Sequence, residues 1–140
     1  VFCAPQHPLA ASSSASSEQL AAQPWILRET GSGTRALFDR AIAPRLATLQ
    51  VRLQLEHTEA IKRAVEAGLG LACLSRMALR EAFRRGSLVE LRTPQFDLQR
   101  NFYFVRHRQR HVSPASRAFI ALCRSFGDAA AEAAYLAIQQ

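Results

Sequence analysis

The sequence predicts an α/β fold, a mainly parallel sheet flanked by helices. Three short apolar stretches with strand character, Trp25–Arg28, Val51–Leu55 and Leu69–Leu74, alternate with three stretches of helical periodicity. Such alternation is the signature of βαβ units. The 140 residues, 49% of them hydrophobic, suffice for one compact domain with its own core.

Val1-Phe2-Cys3-Ala4 opens the chain as a strand, and with no initiator Met ahead of it the chain is expected to be a piece of a longer protein. Gln6–Ser17 is expected as a loop, because Pro5 and Pro8 lead into a Ser/Ala run. Ser17 to Leu20 suits one capped helical turn, stopped by Gln23-Pro24. The apolar strand Trp25–Arg28 runs into the Gly-rich stretch Thr30–Arg35. Leu37, Phe38, Ala41 and Ile42 then share a helical face, and Pro44 predicts a bend or end around Arg45. Val51, Leu53 and Leu55 alternate with Arg52, Gln54 and Glu56, the period of a strand with one buried face.

Thr58 is expected to cap a helix carrying Ile61, Ala64 and Val65 and ending at Gly68. Leu69–Leu74 is apolar throughout, as in a strand covered on both faces. Ser75 is expected to cap the next helix, with Leu79, Ala82 and Phe83 as its apolar face and Gly86 as its stop. Leu88–Leu91 and Phe102–Val105 read as further strands. Ser113-Pro114 opens a helix by the cap-then-Pro rule, with Ala118, Phe119, Leu122 and Phe126 on one side. The Ala-rich stretch beyond Gly127 is expected to be helical and weakly packed.

Charge and cysteine usage narrow the function. There are 18 basic and 11 acidic residues, a formal charge of +7, and Lys62 is the single lysine. The arginines are spread from Arg28 to Arg124, with one local cluster at Arg106, Arg108 and Arg110, so DNA contact by this segment is not expected. Cys3, Cys73 and Cys123 are far apart and form no CxxC pair, which suits free thiols in a reducing compartment. His107 and His111 flank a turn-like Arg-Gln-Arg, so neither a metal nor a cofactor is expected. No apolar run is long enough for a membrane span and no secretory leader opens the chain, so a cytoplasmic protein is expected.

Parallel strands deliver their carboxyl ends to one edge, where ligands of open α/β sheets bind. The sequence places Glu29-Thr30-Gly31-Ser32-Gly33-Thr34, then Glu56-His57-Thr58, then Ser75-Arg76 at that edge. All three precede helix N-termini, whose unpaired N–H groups favour an anion. The candidate ligand-binding residues are therefore Gly31, Ser32, Gly33, Thr34, His57, Thr58 and Ser75, around a small anionic molecule. Each has a plainer reading: Ser32 or Thr34 as a cap, Thr58 and Ser75 as caps, and His57 as an exposed loop residue. Catalytic residues are not identified. Gly-Ser-Gly-Thr-Arg lacks the Lys of a Walker loop and the third Gly of a dinucleotide fingerprint, and it is not a nucleophile elbow.

Several motifs in order resemble the effector domain of LysR-type regulators. They are His7-Pro8-Leu9-Ala10, Trp25–Glu29 with Gly31–Arg35, Glu59–Lys62 leading to Val65–Leu71, Leu74-Ser75-Arg76, Gly86–Val89, Phe102–Val105 and Ser113–Phe119. The resemblance implies a periplasmic-binding-protein-like type 2 fold of two subdomains hinged about an effector cleft. Residues 1–91 would be the second subdomain and 92–126 the strand and helix returning toward the absent first one. Residues 127–140 form a tail without a family counterpart. It also implies DNA binding only through an absent N-terminal domain, no membrane partner, and a homodimer or homotetramer pairing through Thr34–Leu46 and Gln50–Leu55. From the residues alone, Phe38 and Ile42 are expected to pack on the sheet instead. The Gly-Ser-Gly-Thr-Arg form resembles regulators of sulfur and carbon-fixation genes. An extracytoplasmic solute-binding protein is the alternative.

Overall fold

A computed structural model describes residues 1–12, 14–43, 49–100, 103, 105, 109 and 111–138, with side chains as far as Phe126. Val1–Arg100 form one compact unit and Asn101–Gln140 a second. The first holds strands β1 (Phe2–Cys3), β2 (Pro24–Arg28), β3 (Gln50–Leu55), β4 (Leu71–Ala72) and β5 (Val89–Glu90), in the order β3-β2-β4-β1-β5. Both β3 and β4 pair parallel with β2. β1 pairs antiparallel with β4 and β5, so among the described strands it alone runs against the rest. The sheet is mainly parallel, as expected.

Alternation along β2 decides what covers each face, because successive side chains of a strand point to opposite sides. Trp25 and Leu27 lie on one side, in a cluster with Cys3, Leu71, Leu9, Leu20 and Phe38. Ile26 lies on the other, with Phe2, Ala72, Ile61, Val65, Leu79 and Ala82. Thus α1 (Ser17–Ala21) and α2 (Gly33–Ala41) cover the first face. The second is covered by α3 (Thr58–Glu66) and α4 (Arg76–Arg85). Trp25 is fully buried, its ring 4.8 Å from that of Phe38 at an angle of 43°. Its indole Nε1 donates to the Leu20 carbonyl at 2.8 Å, so the bulkiest core side chain leaves no polar atom unmatched. Phe38 and Ile42 pack on the sheet, as expected.

Gly70 fixes how β4 meets β2. Its φ is +151°, and a Cβ there would lie 2.3 Å from the Pro24 carbonyl oxygen. No side chain fits, so glycine is required for the two strands to close.

Several boundaries differ from the sequence reading. The loop Gln6–Ser17 contains a 3-10 turn, Pro8–Ala11, with His7 Nδ1 accepting from the Leu9 amide and Leu9 buried. Ser16, not Ser17, caps α1, in a reciprocal box with Gln19. His57, not Thr58, is the N-cap residue of α3, and Thr58 is its first helical residue. β4 pairs only over Leu71–Ala72. Gly68 and Leu69 still bond back to α3, and the chain beyond Ala72 turns toward α4. Along β3, Leu53 and Leu55 are half-buried but Val51 is 48% exposed, because a register shift sets Val51 opposite Trp25 while Leu53 and Leu55 follow Ile26 to the other face. The regular part of α2 ends at Ala41 with Ile42 as C-cap; Pro44 and Arg45 lie outside the described residues. Most of Phe102–Val105, the Arg106, Arg108 and Arg110 cluster and His107 also lie outside them.

The second unit holds α5 (Pro114–Ile138), opened by Ser113, whose Oγ accepts from the Ser116 amide at 3.1 Å. It runs through Gly127 without a break. Phe119, Leu122 and Phe126 on its apolar side are exposed. No helix among the described residues is long and apolar enough to cross a membrane.

Two outcomes follow from the packing. Gly70→Ala should destabilise the fold by roughly 3 kcal/mol or more, through clash and strain together. Gly33→Ala, whose Cβ meets nothing nearer than 3.9 Å, should leave the urea midpoint within error of wild type. The second concerns Glu66, which accepts from Ser87 Oγ at 2.8 Å. That bond, more than the nearby Arg63 and Arg85, holds its carboxyl below the usual glutamate value. The folded pKa lies below the unfolded one, about 4.3. The stabilisation is therefore complete above that value and is lost as pH falls through the folded pKa. Urea midpoints below about pH 4 should fall more steeply for wild type than for Ser87→Ala, with the two converging in strong acid.

Candidate functional site

Because β3, β2 and β4 are adjacent and parallel, their carboxyl ends stop at one edge of the sheet. With neighbouring strands about 4.8 Å apart, the three chain exits fall within roughly 10 Å of one another. The exits then part. α2 leaves toward one face, whereas α3 and α4 leave toward the other. This divergence on either side of β2 is the topology at which open α/β sheets form a ligand crevice.

The exit from β2 is a turn in which the Ser32 amide bonds to the Glu29 carbonyl at 3.2 Å. Gly31, its third residue, has φ +96°, a conformation that glycine adopts without steric cost. Ser32 is the N-cap of α2: it is buried, and its Oγ accepts from the Arg35 amide at 3.4 Å. Gly33 and Thr34 are the first two helical residues. Their amides, and the Thr34 hydroxyl, make no hydrogen bond among the described residues. The cap and the free hydroxyl, which the sequence left as equal readings for Ser32 and Thr34, are thus divided between them.

At the other two exits the helix starts are open. His57 and Ser75, the N-cap residues of α3 and α4, make no side-chain cap bond. The Thr58 and Ser75 hydroxyls have no partner among the described residues, and both side chains are half-buried. His57 is exposed, and its charge contributes a minor share of the lowering of the Glu29 pKa, so it stands near Glu29. The structure therefore brings all seven candidate residues to one edge, with Ser32 as a cap and Thr34, Thr58 and Ser75 holding uncommitted hydroxyls.

The charges beside the exit from β2 are internally matched. Arg28 Nε and Nη2 bond to Glu29 at 2.7 and 2.8 Å. That contact, ahead of all other influences, lowers the Glu29 pKa and raises that of Arg28. Arg35 Nε bonds to both Asp39 oxygens, at 2.8 and 2.9 Å, and its Nη1 donates to the Arg28 carbonyl at 2.9 Å. With these pairs closed, the helix starts supply a positive field of about half a charge each.

One cation at this edge escaped the sequence reading. Arg100 Nη1 lies 3.9 Å from where a Gly33 Cβ would be, and its charge is felt at the Cys73 thiol. It therefore stands between the exits from β2 and β4. Its distance along the chain, with no motif around it, gave no signal. Burial dominates at Cys73 and pushes its thiol up, while Cys3, deep in the sheet, is pushed up to about 11. Both are neutral thiols at neutral pH.

Ser32 Oγ is engaged with backbone and not with a base. Among the described residues no group of three or more His, Cys, Asp or Glu side chains is placed to hold a metal. What the edge offers is amides and hydroxyls at three helix starts, with a guanidinium beside the first of them.

Residues 1–128 match the family described as LysR substrate binding domain. The HTH-type transcriptional regulator YeiE of Escherichia coli K12 is 44% identical over 123 residues, covering 88% of this chain and 42% of that protein. A RuBisCO operon transcriptional regulator of Allochromatium vinosum is 36% identical over 119 residues, covering 85% of this chain and 39% of its own. Among solved structures, the CcmR regulatory domain of Synechocystis PCC6803 in complex with 2-PG is similar with a TM-score of 0.77 at 30% identity, over 86% of this chain and 58% of that one. The effector-binding domain of QuiR in complex with shikimate has a TM-score of 0.65 at 20% identity, over 91% of this chain and 59% of that one, a likeness of fold. The chain spans about two-fifths of the length of the curated relatives it matches. From β1 to the early turns of α5, it belongs to the LysR family of substrate-binding domains.

Proposed function

We propose that the chain is the effector-sensing part of a LysR-type transcriptional regulator, taking a small anionic molecule at the carboxyl edge of β2, β3 and β4. The observation that carries this reading is the set of helix starts on one edge with uncommitted amides and hydroxyls, at Thr34, Thr58 and Ser75. Arg28 and Arg35 are matched by carboxylates, so the field selecting an anion would come mainly from the helix starts, with Arg100 beside Gly33. Gly31 and Gly33 would let backbone approach the ligand, and His57 would close the α3 side. Relatives named as regulators favour regulation over solute transport and over catalysis.

Signal transfer would be a population shift, the effector favouring one of two subdomain arrangements by its difference in affinity for them. Residues 1–91 would form the second subdomain. The exposed row Phe119, Leu122 and Phe126 in residues 92–126 would return to the first, which lies outside this chain. Residues 127–140 would be a tail. DNA would be read in the cytoplasm by an N-terminal domain also outside this chain. Dimers or tetramers would pair through Thr34–Leu46 and Gln50–Leu55, consistent with β3 at a sheet edge carrying an exposed Val51.

Mutations in the full-length regulator separate site from scaffold. Thr34→Val should abolish the transcriptional response to effector while leaving operator affinity and urea midpoint unchanged; an intact response removes Thr34 from the site. Ser32→Ala should instead cost about 1 kcal/mol of stability, the usual worth of a helix cap. Arg100→Gln should weaken an anionic effector at least tenfold by calorimetry, and an unchanged affinity would remove Arg100 from the site. In thermal-shift screening of the complete regulatory domain against carboxylated and phosphorylated metabolites, a ligand at 100 times its Kd should stabilise the fold by about 2.7 kcal/mol.

A further inference from the structure

The outer face of α4 carries a second concave surface. Leu79 and Ala82 turn into the core, which leaves Arg76, Met77 and Arg80 on the outside. Together with the half-buried Phe83 they line a groove of about 360 Å³. Met77 is 82% exposed. Arg76 and Met77 directly follow Ser75, so the groove begins at the carboxyl edge and runs away from it along the helix. Arg76 pairs with Glu90 at 3.2 Å through exposed side chains, and Arg84 pairs with Glu81. Arg80 has no hydrogen bond or ion pair among the described residues.

We propose that this groove docks an acidic segment of another protein, one that places an apolar side chain against Phe83 and Met77 and carboxylates beside Arg80 and Arg76. The composition of the groove selects that occupant. Exposed methionine is flexible and polarisable, and it favours surfaces that receive apolar side chains. A second copy docked through the same face would bring Arg76 and Arg80 of both chains into one interface, since a two-fold interface uses the same patch on each partner. A nucleic-acid backbone would use the arginines but leave the apolar floor of Phe83 unfilled. An acidic, partly apolar peptide satisfies both halves, with carboxylate–guanidinium contacts setting direction and the apolar side chain filling the hollow.

The test uses the full-length regulator and fluorescence anisotropy with a dye-labelled peptide in which aspartates flank a Phe-Leu pair. Wild type should bind it at least fivefold more tightly than two control peptides, one with Asn for each Asp and one with Gly for Phe and Leu. Arg80→Glu and Met77→Asp should each weaken binding at least tenfold while urea midpoints stay unchanged. Arg92→Glu, the same charge reversal at an exposed arginine beyond β5, should change it less than twofold. Absence of peptide binding overturns the assignment, as does equal loss in Arg92→Glu, which would reduce the effect to net charge. A thymidine oligonucleotide bound through Arg80, with the peptide ignored, would overturn it in favour of nucleic acid.

Discussion

The parallel register of β2 against both of its neighbours is the constraint on which the rest of the molecule depends. Trp25 lies opposite Val51 on one side and Leu71 on the other, so both flanking strands run toward the same edge as β2, β3 ending level with Arg28 and β4 level with Ile26. Gly70 makes the second pairing possible by letting the chain pass against the Pro24 carbonyl. Trp25, packed on Phe38 and bonded to Leu20, ties that same strand to the two helices on its face. If the register slipped by one residue, Trp25 and Ile26 would exchange faces, and both core clusters would be lost with the shared edge.

Much of this was legible because period and punctuation agreed. The alternation of β and α, the two-sided apolar run of β4 and the left-handed Gly86 at the end of α4 all follow from local rules that tertiary packing did not override. Misplacements came where two residues competed for one role. Thr58 is the better capping side chain, yet His57 takes the N-cap position and leaves the Thr58 hydroxyl uncommitted. The exposure of Val51 came from a register shift between β2 and β3, which a strand's own alternation does not encode. Arg100 was invisible for a similar reason: proximity to Gly33 is a product of the chain path after β5 and carries no local pattern.

The edge also shows how a basic chain keeps its arginines from acting indiscriminately. Arg28 and Arg35, nearest the exit from β2, are held by Glu29 and Asp39, and Arg35 also bonds to the Arg28 carbonyl and to Gln54. They brace the turn. In the proposed site, recognition would fall to the amides at three helix starts and the hydroxyls of Thr34, Thr58 and Ser75, groups that reward correct geometry more than charge alone. One hydroxyl, on Ser32, is spent on holding α2 in place.

The most direct measurement is amide chemical-shift mapping of the complete regulatory domain titrated with an anionic ligand that stabilises it. A shared hollow requires the amides of Gly33 and Thr34, of Thr58 and Glu59, and of Arg76 and Met77 to shift together, with one saturation curve. Shifts confined to one of these helix starts, or lying away from all three, would contradict a common binding edge.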